Sequence, residues 1–308
     1  MIFRHTHNKT TWIDLEHPTD EELASVTREL SIGARIESEL IAPTPLPLVA
    51  GEAGMTLLVL HFPTFDSESG ESRDQEIDFV VGKNFVLTVH YEIVEALHLL
   101  RRLFETEEAL RDGGALSTEM LLEVLFAHLY AAVRDHGQHI AQEMVRVEKE
   151  MFDGHERKTV REISSVSRAF LHLEATLASQ EEPLDRFLRT LTRPQFFSET
   201  FHDRAGRIAA MRSGAQRYLL THRAVATELR ETNAALLETR QNEIMRTLTV
   251  VSFILLPLEL IAIIFAMQLP GVPLQEDPHG FWVVVVGLAI LGAVLTFFSA
   301  YKRWIFSS

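Results

Sequence analysis

The chain of 308 residues contains no cysteine. Disulfides, thiolate zinc sites and thiol catalysis are therefore excluded. Positive charge is also in short supply: 29 Lys and Arg stand against 43 Asp and Glu, a net charge of −14. Nucleic acid requires a basic surface, so no nucleic-acid partner is expected. No HExxH, GxSxG, P-loop or GxGxxG occurs in a usable context, and no enzyme is expected. The opening MIFRHTHNKTTWIDL is polar and mixed in charge, without the apolar stretch of a signal peptide. The soluble part is expected to stay in the cytoplasm. The length fits one sizeable soluble domain plus a small membrane domain.

Long apolar runs are present, and they lie at the end. Leu248 to Leu269 reads LTVVSFILLPLELIAIIFAMQL, and Phe281 to Ala300 reads FWVVVVGLAILGAVLTFFSA. About 20 apolar residues cross a hydrocarbon core. The first run holds Glu259 near its middle, where a carboxylate needs water, a partner or a cation. Arg240 and Arg246 precede the pair of runs, and Lys302 and Arg303 follow it. The loop between, Pro270 to Gly280, has no Lys or Arg and carries the acids Glu276 and Asp277. By the positive-inside rule both termini are cytoplasmic and the loop is outside. Trp282, Tyr301 and Trp304 stand where interfacial anchors would.

The N-terminal part reads as α/β with a mostly consecutive sheet. Strands are expected at Thr11–Leu15, Met55–Phe62, Glu76–Val81 and Phe85–His90 from alternation and β-branched content. Thr19 followed by Asp20, Glu21 and Glu22 marks a helix start running to about Leu30. A short helix at Ala34–Ile41 is stopped by Pro43, Pro45 and Pro47. The polar stretch Asp66–Asp74 links two strands. Helices follow at Glu92–Arg111, Ser117–Phe152, Glu156–Glu182, ended by Pro183, and Leu184–Leu191. From about Gln195 to Met267 only Gly206, Gly214 and Pro257 interrupt a helical pattern; such a helix would span roughly 100 Å. The implied division is a soluble domain over 1–194, a stalk helix over 195–247 and a membrane part over 248–308. The last comprises spans at 248–269 and 281–300, the outer loop 270–280 and a basic tail, 301–308.

Along the first run, Asn242, Met245, Thr249, Ser252, Leu256, Glu259 and Ile263 recur every three or four residues and so share one helical face. That face carries most of the polar atoms of the segment. It lines a water-filled path if symmetric copies ring an axis; otherwise Glu259 is protonated and hydrogen-bonded inside a bundle. Pro257 removes one backbone hydrogen bond, which leaves either a kink or a tolerated membrane proline. Asp135, His136, His139 and Glu143 lie on one helix. They form either a solvated face or an imidazole and carboxylate set suited to zinc. His5 and His7 are either a flexible chelating pair or part of a disordered terminus.

The stretch NEIMRTLTVVSFILLPLELIAIIFAMQL, Asn242 to Leu269, resembles the CorA family of divalent-cation channels, including its zinc-transporting ZntB branch. Asn242, Met245, Arg246, Leu248, Thr249, Pro257, Leu258, Ile261 and Ala262 fit the family pattern, and Tyr301–Ile305 resembles its basic, aromatic tail. The resemblance implies a CorA-like funnel: an α/β cytoplasmic domain, a long α-helical stalk and two transmembrane helices, assembled as a homopentamer in the cytoplasmic membrane. It places Asn242, Met245, Leu248 and Leu256 on the pore, with Met245 and Leu248 as a hydrophobic constriction. The family's Gly-Met-Asn filter is replaced by Ala266-Met267-Gln268, which points to a divergent branch, with CmaX-like proteins as a candidate. Where relatives usually place a hydroxyl residue, this chain has Glu259. Glu259 and Gln268 are therefore the expected metal-contacting groups, and Glu231 a candidate for the regulatory acids of the family. Transport of zinc or magnesium, passive or proton-coupled, is the function implied, with the ion as cargo and no covalent cofactor. The alternative is a non-conducting, membrane-anchored scaffold or cation sensor.

Overall fold

A computed structural model describes residues 1–7, 9–65, 72–105, 117–267 and 279–301. Contacts divide the chain into two units, Met1–Arg230 and Glu231–Ser308. The first is built on a six-stranded sheet of order β1-β2-β6-β5-β4-β3. The strands are β1 (Ile2–His7), β2 (Thr10–Glu16), β3 (Leu48–Glu52), β4 (Met55–Phe65), β5 (Ser72–Val81) and β6 (Phe85–His90). From β3 to β6 the strands are consecutive and antiparallel, while β2 joins β6 in parallel. The expected strands are all present. β1 and β3 form the two edges and were not anticipated. His5 and His7 thus lie in a paired edge strand rather than a disordered terminus, with the His5 ring 5.0 Å from that of Phe104.

Alternation along the strands gives the sheet two apolar faces. On one, Ile13, Leu15, Leu57, Val59, Val80, Leu87 and Val89 pack with Leu23 and Val26 of α1 (Asp20–Glu29) and Ile36 of α2 (Ala34–Glu39). Helix α1 begins as its sequence dictates: the Thr19 hydroxyl caps the Glu22 amide and the Glu22 carboxylate returns to the Thr19 amide. On the other face, Phe79 stacks on Phe126 with ring centroids 5.1 Å apart. Phe126 lies on α4 (Thr118–Phe152), which follows α3 (Glu95–Glu105). Then come α5 (Glu156–Ser179) and α6 (Glu181–Leu191). The break between α5 and α6 falls at Gln180 rather than at Pro183. Pro183 is tolerated within the first turn of α6, whose amides lack intrahelical partners anyway. Gln180 is fully buried, accepting from the Tyr130 hydroxyl at 2.9 Å and donating to the His61 carbonyl at 2.6 Å.

A 3-10 turn over Ser198–Phe201 precedes α7 (His202–Ala266), 65 residues long. The expected start near Gln195 is thus corrected to His202. The first part of α7 belongs to the first unit and buries Ile208, Ala215, Leu219 and Ala226. The last element is α8 (Gly280–Tyr301). The far part of α7, and α8, are each long and apolar enough to cross a membrane.

One buried ionic group fixes α3 to the sheet. The Arg101 guanidinium lies 2.7 Å from Asp14 and also reaches Glu16. Thr88 donates to the same Asp14 carboxylate, and Trp12 donates to Thr88 at 3.1 Å. The His90 ring sits 3.3 Å from Asp14. Removing one partner of a buried pair strands the other charge at a cost of about 3–5 kcal/mol. Arg101→Met should therefore destabilise the α/β unit by about that amount, measured by urea unfolding followed through tryptophan fluorescence; a change under about 1 kcal/mol would contradict the assignment.

Candidate functional site

Within the second unit, α8 covers one side of α7. Val283, Val284, Gly287, Leu288 and Leu291 line a small apolar gap with Ile261 and Phe265. A Cβ placed on Gly292 would sit 3.4 Å from Cδ1 of Leu258. At 100° per residue, Val250, Ile254, Leu258, Ile261 and Phe265 fall on the same side of α7. Val250 is among the few buried side chains there.

The opposite side holds the candidate pore face. Asn242, Met245, Thr249, Leu256, Glu259 and Ile263 are all exposed, Ser252 is half-buried, and Leu248 is exposed at the edge of the stripe. The Thr249 hydroxyl donates to the Met245 carbonyl at 2.8 Å, so its lone pairs remain for an outside group. Pro257 stands within the helix without ending it. Ala266 closes α7, and the Met267 amide donates to the Ile263 carbonyl at 3.1 Å. Gln268, Glu276 and Asp277 lie outside the described residues. Glu231 is exposed on α7 at the beginning of the second unit.

The zinc reading of α4 is corrected. Among the described residues no group of three His, Asp or Glu side chains is placed to hold a metal. His136 points inward and is buried, whereas Asp135, His139 and Glu143 are exposed. Glu143 pairs instead with Arg146 at 3.6 Å. Burial, helped by the charges of His139 and His172, pushes His136 down to about 4, so it is neutral at physiological pH. The buried stripe of α4 runs through Val133, His136, Gly137, Ile140 and Met144, and His139 lies beside it on the exposed rim.

Two polar groupings escaped the sequence reading. A groove of about 870 Å³ gathers His17, Arg73, Glu92, His98, Asp135 and His139 from distant parts of the first unit. On the other face of the sheet, Glu76 and Asp78 of β5 are buried beside His61 of β4. The signal for the second was legible: two acids at alternate positions of the apolar strand EIDFVV point to one face.

These parts define a class: an α/β unit whose last helix continues into one of two helices of membrane-crossing length. Residues 7–302 match the family described as CorA-like Mg2+ transporter protein, and the chain belongs to that family. The cobalt/magnesium transport protein CorA of Methanocaldococcus jannaschii is 21% identical over 304 residues, covering 96% of this chain and 91% of the relative. The protein of the same name from Thermotoga maritima is 22% identical over 303 residues, covering 96% and 83%. The complete structure of the Methanocaldococcus jannaschii CorA magnesium transporter superposes with a TM-score of 0.81 at 19% identity, covering 96% of this chain and 92% of that one. Full-length CmaX superposes with a TM-score of 0.69 at 16% identity, covering 96% and 89%.

Since the chain has no cysteine, introduced thiols report the α7–α8 packing directly. Leu258→Cys with Gly292→Cys should be joined by a short thiol cross-linker. Glu259→Cys with Gly292→Cys should not be joined within one chain. Equal cross-linking of both pairs would overturn the facing described above.

Proposed function

We propose that the chain is a CorA-like channel for divalent cations, magnesium or zinc, in the cytoplasmic membrane. Several copies, five by likeness to the family, set their α7 helices around a shared axis. Asn242, Met245, Leu248, Thr249, Ser252, Leu256, Glu259 and Ile263 line the path. Ala266, Met267 and Gln268 form the outer filter, with Glu276 and Asp277 at the mouth. Glu231 stands towards the cytoplasmic end, where both termini lie. One observation carries this reading: α8 packs on the side of α7 away from the polar stripe, which leaves Glu259 exposed, with no helix over it among the described residues. A charged side chain at the centre of a bilayer costs about 3 kcal/mol when it faces lipid. Facing a shared, hydrated axis relieves that cost, and a ring of carboxylates there favours cations. The names of the relatives, cobalt/magnesium transport proteins, support the same class of cargo.

The test is flux into liposomes holding the purified protein, with magnesium and zinc each supplied at two pH gradients. Uptake of at least one metal is expected. No flux of either metal under any condition would overturn the proposal. Metal binding without flux would instead favour the non-conducting sensor. Glu259→Gln should lower uptake about tenfold, equivalent to ~1.4 kcal/mol of lost ion stabilisation, or change its pH dependence. Unaltered transport would remove Glu259 from the mechanism.

A further inference from the structure

The segment between α2 and β3, Leu40–Pro47, contains Pro43, Pro45 and Pro47. Proline has no amide hydrogen, so this stretch has few donors with which to hold itself to the sheet. Beyond the Leu40 amide, which donates to the Glu37 carbonyl of α2 at 3.1 Å, its ties run to one cluster. The Thr44 amide donates to Glu76 Oε2 at 2.6 Å, and the Thr44 hydroxyl donates to Glu76 Oε1 at 3.2 Å. The Thr44 carbonyl lies 3.0 Å from His61 Nε2, which is itself 3.5 Å from Glu76. The Tyr91 hydroxyl donates to the Leu40 carbonyl at 2.9 Å.

Behind Glu76 sits a second acid. Asp78 is 0% exposed, and its Oδ1 has no hydrogen-bond donor among the described residues. Its Oδ2 lies 3.4 Å from the Tyr91 oxygen, but Tyr91 has one hydrogen and the Leu40 carbonyl is nearer. Glu76 and Asp78 stand two positions apart on β5, both buried, so their carboxyl groups emerge side by side on one face of the sheet. Two neighbouring buried carboxyl groups cannot both be ionised without a cation between them. Glu76 already accepts from Thr44 and faces His61, so it is the better carboxylate. The proton therefore belongs to Asp78.

The geometry points to a proton-loaded clip: the carboxyl of Asp78 donates to Glu76, and Glu76 holds Thr44 and with it the Leu40–Pro47 segment. The direction of its pH response follows from the groups that face it. Burial first, then the negative charge of Glu76 and that of Glu39 on α2, raise Asp78 well above the usual carboxylate range. The hydrogen bond to Glu76 raises His61, and the charge of Asp74 adds to it. Tyr91 is raised by burial and by Asp78 and stays neutral. A group raised on folding stabilises the folded form fully below its unfolded pKa. That contribution is lost as pH climbs through the folded value. Both Asp78 and His61 are raised, so the clip is closed at low and neutral pH. It opens as pH rises, when Asp78 ionises beside Glu76 and His61 loses its charge.

The experiment is hydrogen exchange of the full chain in detergent from about pH 6 to about pH 9, corrected for intrinsic exchange. Protection of the Thr44 amide in the native chain should fall about tenfold or more across that range. Asp78→Asn, whose carboxamide still donates to Glu76, should show a clearly smaller fall, the part left to His61. Glu76→Leu, which has no acceptor for the Thr44 amide, should lose the protection at every pH. Flat protection in the native chain, or an equal fall in Asp78→Asn, overturns the clip. Loss of protection on adding EDTA at fixed neutral pH also overturns it, because a cation would then be bridging the carboxylates. Should Asp78→Asn not fold, infrared spectra of native protein carrying isotope-labelled aspartate decide the matter. A protonated aspartic acid band at neutral pH supports the clip, and its absence overturns it.

Discussion

After Arg246 the next charged residue of α7 is Glu259, and across that change the helix backbone continues without a break. One element thus meets three different surroundings along its length. Its first part buries Ile208, Ala215, Leu219 and Ala226 in the core of the α/β unit. From Glu238 to Thr249 every side chain is exposed. Beyond lies the apolar stretch. Only a helix allows this, because its amides and carbonyls are satisfied within the element whatever surrounds it. A strand or loop carried through the same sequence would require a different partner for its backbone at each stage.

The second consequence is that, among the described residues, the apolar stretch of α7 is covered on one side. α8 is a single helix, and a single helix covers one side of another. The side it takes is the wholly apolar one, where Gly292 lies beside Leu258. Hydroxyls, carboxamide and carboxylate are left together on the other side. Among the described residues, then, the segregation of polar from apolar groups on α7 is matched by the position of α8. It is this match, more than the composition of either helix, that gives the stripe from Asn242 to Ile263 a meaning.

Much of this was legible in the sequence because the signals were local. Thr19 and Glu22 announce α1 through a capping box, and the period of the polar residues on α7 gives the face opposite α8. What was missed depended on distant partners. β1 and β3 are edge strands, visible as strands only once β2 and β4 provide their hydrogen bonds. The Gln180 break was masked by Pro183, the louder local signal, although Gln180 is fixed by Tyr130 and His61 far away in sequence. His136 and His139 share a spacing compatible with metal ligation, yet the first is buried and the second exposed. Helical spacing reports a shared side of a helix, and the tertiary environment decides whether that side is core, rim or solvent.

Three acids in apolar settings show how differently one physical problem is solved in a single chain. An ionised carboxylate away from bulk water requires a cation, a proton or a hydrated exit. Asp14 has the Arg101 guanidinium at 2.7 Å, so its charge is balanced permanently and its role is architectural. Asp78 has no such cation and lies against another acid, so on the inferred reading a proton balances it and the balance responds to pH. Glu259 differs from both in being exposed on a helix whose neighbours in sequence are Leu258 and Leu260. On the proposed reading its compensation is neither a fixed side chain nor a trapped proton but the passing ion itself. A permanent partner such as Arg101 at that position would neutralise the ring and abolish its attraction for cations. The same residue type thus becomes a strut, a switch or a binding ring according to what its surroundings offer it.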